Sequence, residues 1–101
     1  MSALPAYWIS DVHAKFLPDK LQQRGLEVIM VRDCLQRNQK DRYREWKLTA
    51  KGEKNPLVMW WIWPLDENAG VLTVGPCPPE TLFKVLNEVL LELGAERLGV
   101  R

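Results

Sequence analysis

The chain has 101 residues, 47% of them apolar and 27% charged, and a formal net charge of +1. That composition is ordinary for one globular domain and excludes an intrinsically disordered segment. The near-neutral charge gives no global field toward nucleic acid or an anionic membrane.

Residues 4–9 form a short apolar lead-in that offers an edge strand. Ser10 and Asp11 follow as an N-cap signal, and Val12, Phe16 and Leu17 recur at helical spacing. Pro18 fits the start of a second helical turn, and Gly25 ends it. Residues 11–24 therefore read as one bent helix or two short ones. Residues 26–31, Leu-Glu-Val-Ile-Met-Val, read as a strand. Residues 35–41 are polar and read as a hairpin connection. In residues 43–50 the pattern alternates: Trp46, Leu48 and Ala50 take one side, and Glu45, Lys47 and Thr49 the other. This is the mark of a half-buried antiparallel strand.

Residues 57–63 are apolar on both sides. Leu57, Met59, Trp61 and Trp63 alternate with Val58, Trp60 and Ile62. Residues 71–74 give a further strand after the turn 66–70. The Pro-rich run 76–79 leads into a helix with Glu80 in its first turn, favourably placed for the helix dipole. Leu82, Phe83, Val85, Leu86, Val89, Leu90 and Leu93 make its apolar face; Lys84, Asn87, Glu88 and Glu92 are expected to point away, and Gly94 stops it. The expected architecture is a single α+β domain over 1–101. It has a four-stranded antiparallel meander, residues 4–9 offering a fifth strand, with a broken N-terminal helix and a long C-terminal helix packed on the sheet.

Two features bear on function. The strand 57–63 needs cover on both sides, and one helix covers only one. Trp60, Trp61 and Trp63 raise the stakes, since each indole buries up to about 250 Å² and aromatic side chains are enriched at interface hot spots. The second feature is a basic hairpin. Between Arg32 and Lys54 lie eight Lys or Arg and four Asp or Glu, so the segment carries 8 − 4 = +4 and the remainder −3. Arg42 and Arg44 sit in it beside Tyr43 and Trp46. Hairpin charges act mainly on association rate and buried aromatics on dissociation.

Signals for chemistry are few. His13 is the one histidine, and the two cysteines, Cys34 and Cys77, lie in no nucleophile motif. A Gly-rich phosphate loop and metal-ligand spacing are both absent from the sequence. No catalytic residue, cofactor or metal is expected. Residues 1–8 lack a basic region followed by an apolar run, and the longest apolar run, Pro56 to Leu65, is about half a membrane span. A cytoplasmic location without membrane insertion is therefore expected.

The sequence favours a non-enzymatic protein–protein interaction module: a small adaptor, inhibitor or regulator. It would act through Trp60, Trp61 and Trp63 and the hairpin residues Arg42, Tyr43, Arg44 and Trp46, as a homodimer, with a protein partner whose acidic groups would match the hairpin. A nucleic-acid-associated regulator using hairpin 32–54 ranks second. A small-ligand binder or enzyme ranks last.

Overall fold

A computed structural model describes residues 4–98. The elements in chain order are β1 (Ala6–Ser10), α1 (Asp11–Ala14), α2 (Leu17–Gln23), β2 (Glu27–Leu35), β3 (Asp41–Thr49), β4 (Leu57–Pro64), β5 (Ala69–Val74), α3 (Glu80–Glu92) and β6 (Glu96–Leu98). The class is α+β as expected, but the sheet has six strands, in the order β2-β3-β4-β5-β1-β6. The order of the meander β2 to β5 matches the sequence reading, but β2 runs past Val31 to Leu35, β3 starts at Asp41 and β5 starts at Ala69, so both connections are shorter than expected. The corrections lie at its far side, where β1 pairs with β5 on one edge and with β6 on the other. The lead-in is thus an interior strand. The addition, β6, is three residues long and too short to give a periodic signal.

Both helix starts and stops follow local chemistry. The Ser10 hydroxyl accepts from the backbone N–H of His13 at 3.3 Å and caps α1. The N-terminal segment resolves into two short helices, with Pro18 in the first turn of α2. Behind α2, Gly25 adopts a φ of 86°; the N–H groups of Gly25 and Leu26 close back on the carbonyls of Gln22 and Leu21. Gly94 ends α3 the same way, with Gly94 and Ala95 bonded to Leu91 and Leu90. These are Schellman caps, which need a left-handed residue that glycine adopts without strain.

The core is one layer between the sheet and the helices. Tyr7, Ile9, Trp46, Leu48, Leu57, Met59, Trp61, Trp63, Leu72 and Val74 come from the strands. Leu17 and Leu21 of α2 and Leu82, Leu86, Val89 and Leu90 of α3 close over them. Of Val12, Phe16 and Leu17, only Leu17 shares that layer: Val12 and Phe16 are exposed, contrary to their spacing, and Ala14 and Leu21 are buried beside Leu17. The break after Ala14 resets the helical phase. Asn87 also departs from expectation. It is half-buried, and its Oδ1 accepts from the Tyr7 hydroxyl at 2.6 Å. A phenol buried in an apolar layer needs such a partner.

Why all helices lie on one face follows from connectivity. The chain leaves β1 for the parallel strand β2, and leaves β5 for the parallel strand β6. These crossovers travel in opposite lateral directions from strands that themselves point opposite ways. Crossovers are right-handed in about 98% of cases, and for this pair that hand puts α1–α2 and α3 on the same side. The other side of the sheet receives no layer from the described residues.

Candidate functional site: the open face of the sheet

The register fixes what the uncovered face displays. One row of cross-strand neighbours crosses all six strands: Cys34, Tyr43, Ile62, Val71, Trp8 and Glu96. The next row is Arg32, Glu45, Trp60, Thr73, Ala6 and Leu98. Lys47 and Val58 continue the pattern beyond it, with Ile29 at the edge. The middle of the face is therefore apolar, built from Trp8, Val58, Trp60, Ile62 and Val71. Trp8 is 40% exposed, and Trp60, Ile62, Val58 and Val71 are half-buried by their neighbours in the sheet. Trp8 also walls an open depression of about 490 Å³ with the turn Leu65–Ala69.

The charges on this face form a rim. Glu27, Asp41, Glu45 and Glu96 point to it, against Arg32 and Lys47, which gives 2 − 4 = −2. Tyr43 donates to Glu45 Oε1 at 2.6 Å. Burial and this bond to a carboxylate push the Tyr43 phenol up to about 12, since both disfavour the anion.

The seven residues picked out in the sequence split between the two sides. Trp60 and Tyr43 lie on the open face. Trp61 and Trp46 lie on the helix side and are buried in the core, with Trp63 at its margin. Arg42 and Arg44 share that side, opposite Trp63 and Trp61 in the ladder. The Trp61 and Trp63 rings stack with centroids 3.9 Å apart, and the Arg44 guanidinium sits 5.1 Å over Trp63. Asp33 joins both arginines: Arg42 Nε donates to its Oδ1 at 3.1 Å, and Arg44 Nε lies 3.4 Å from its Oδ2. That second contact is within ion-pair range but out of hydrogen-bond alignment, so Arg44 Nε and the buried Trp61 Nε1 find no hydrogen-bond acceptor among the described residues. Burial pushes the Asp33 carboxyl up, but the Arg42 hydrogen bond and the two guanidinium charges outweigh it, and the net shift is downward.

Trp8 is the main residue of the face that sequence reasoning missed. Its signal was the alternation Tyr7-Trp8-Ile9, in which Trp8 is the odd member of an otherwise core-facing pair.

The residues considered for chemistry are far apart. Cys34 is exposed on the edge strand β2, four strand spacings or roughly 19 Å from β1, which leads into the helix bearing His13. Cys77 precedes α3, whereas the His13 ring lies near Gly94 at its other end. Thirteen helical residues separate them by roughly 20 Å. Among the described residues, no three His, Cys, Asp or Glu side chains group as metal ligands, and no helix is long and apolar enough to cross a membrane. No family model, curated protein or solved structure matches the chain.

Proposed function

We propose that the chain is a non-enzymatic protein-interaction module whose docking surface is the open sheet face centred on Trp8, Trp60, Ile62 and Val71. The observation that carries this reading is the contrast between the two sides: the centre of one is covered by the helices, and the other is apolar at its centre with no layer over it among the described residues. Contiguous apolar surface rimmed by polar groups is typical of interaction sites, and indoles are enriched among interface anchors. The rim sets the partner's chemistry. With four acids against two cations, the face fits a protein surface that has an apolar centre and Lys or Arg around it. That sign differs from the acidic partner expected of the hairpin, two of whose arginines are engaged with Asp33 on the other side. It also speaks against a phosphate backbone lying along the aromatic face, which would require net positive charge.

The test is capture from the native lysate with two variants beside wild type. Trp60→Lys places a charge at the centre of the open face. Leu91→Lys places one on the solvent side of α3, where the leucine is 54% exposed. Capture should fail for Trp60→Lys and persist for Leu91→Lys, with both proteins folded by circular dichroism. Capture unaffected by Trp60→Lys would remove the open face as the docking surface.

A further inference from the structure

The sheet has two edges, and they are built differently. β6 covers three of the described residues, Glu96–Leu98, and carries the charged pair Glu96 and Arg97. Short, charged strands are how soluble proteins blunt an edge. β2 runs nine residues, Glu27–Leu35, with no proline and no lysine, and its charges, Glu27, Arg32 and Asp33, flank an apolar run of four, Val28–Val31. Ile29, Met30, Val31 and Leu35 are each 43 to 50% exposed along it. An edge strand presents unpaired N–H and C=O groups, and a long apolar one invites another strand. We infer that β2 pairs antiparallel with β2 of a second copy about a two-fold axis at Ile29, joining two six-stranded sheets into one of twelve.

Self-complementarity singles out the second copy. Antiparallel neighbours share a face, so the register can be read from the sides that β2 residues take. Glu27, Ile29 and Arg32 face the open side, and Val28, Met30 and Asp33 face the helix side. Val31 is the extra residue of the bulge between Met30 and Arg32; in an unbroken alternation Arg32 would fall on the helix side. Pairing about Ile29 sets Ile29 against itself, Val28 against Met30 twice, and Glu27 against the Val31–Arg32 step twice. Each contact is then apolar or of opposite charge. Shifting the axis to Met30 sets Ile29 against Arg32 and Val28 against Asp33. Shifting it further, to Arg32 or Asp33, opposes like charges. Only the Ile29 register satisfies both the apolar and the charged positions. β4, where the sequence suggested self-association, is bonded to strands on both of its edges and has none to offer.

This inference rests on the edge, independently of the docking face. In a dimer of this kind both open faces lie on the same side of the joined sheet, so two partner sites are displayed together, which favours bivalent capture.

Sedimentation of the intact chain at micromolar concentration should give about twice the 11.7 kDa chain mass. Glu27→Arg or Arg32→Glu alone turns both charge pairs repulsive and should weaken the dimer about tenfold or more. The combined variant restores opposite charges across the axis and should recover the dimer. Ile29→Lys should give a monomer, and Trp60→Lys should leave the dimer intact. A wild-type monomer at every concentration overturns the inference. So does a folded double variant that fails to recover while the single variants are monomeric, or single variants that stay fully dimeric. Dissociation by Trp60→Lys with the edge variants still dimeric would place the contact on the open face instead, and would equally overturn the edge pairing.

Discussion

Leu86→Ala should lower stability by about 3 kcal/mol, within the 2–5 kcal/mol typical of a buried leucine truncated to alanine. Leu86 is fully buried in the middle of α3, one turn from Leu82 and Leu90, and faces the strand residues of the helix-side core. The cost has two parts, the lost transfer of the removed carbons and the cavity left between helix and sheet. For a domain of this size that amounts to a fall in Tm of roughly 15 °C. Leu91, five positions on, is the internal control. It is more than half exposed, so Leu91→Ala should stay within about 0.5 kcal/mol of wild type. Thermal unfolding of the two variants side by side checks both. Equal effects would mean that α3 does not seat its Leu86 face on the sheet.

Gly70→Ala is expected to be comparably severe for the opposite reason. Gly70 lies on the helix side of β5, where a methyl group would sit 2.2 Å from the Ile62 carbonyl oxygen and 2.4 Å from Trp63 Cβ. Neither is the tip of a flexible side chain, so relief requires β4 and β5 to move apart at the point where Trp61 and Trp63 stack. Overpacking in a core commonly costs 1–3 kcal/mol, and a clash with backbone belongs at the top of that range, about 3 kcal/mol. Urea unfolding of Gly70→Ala should show a clear drop in midpoint. By contrast, alanine in place of Gly52, with open space around it but a φ of 91°, should cost only the strain of a left-handed residue, on the order of 1 kcal/mol. An unchanged midpoint for Gly70→Ala would contradict the close approach of the two strands.

The meander and α3 were legible because their signals are local. Alternation in β3, the Pro-rich entry to α3 and glycines at both Schellman caps each act within a few residues. The split of β3 into Trp46 and Leu48 on one side and Glu45, Lys47 and Thr49 on the other could likewise be read directly from periodicity. What the sequence did not disclose is which side of β4 stays open. Leu57, Met59, Trp61 and Trp63 are as apolar as Val58, Trp60 and Ile62, so periodicity cannot rank them. The choice is made by the crossovers β1 to β2 and β5 to β6, whose common side depends on the placement of β1 and β6 at the far end of the sheet. Alternation separates Trp61 and Trp63 from Trp60, but without the positions of β1 and β6 it does not say which set stays open. Arg42 and Arg44 stand together with Tyr43 in sequence, but alternation sends the arginines to the helix side, where Asp33 of the neighbouring strand meets them. Trp8 escaped notice because β1 is only five residues long.

The two tryptophans of the open face, Trp8 and Trp60, are the centre of the proposed docking surface. Oxidative footprinting resolved residue by residue separates them from the core indoles, first in the free chain and then with a captured partner bound. In the free chain Trp8 and Trp60 should be modified, whereas Trp46 and Trp61, both nearly fully buried, should remain silent. Binding should protect Trp8 and Trp60 together and leave the exposed Leu91 side of α3 as reactive as before. If Trp60 is silent in the free chain, the face is covered and no docking surface exists there; if Trp8 and Trp60 remain reactive in the complex, the partner binds elsewhere.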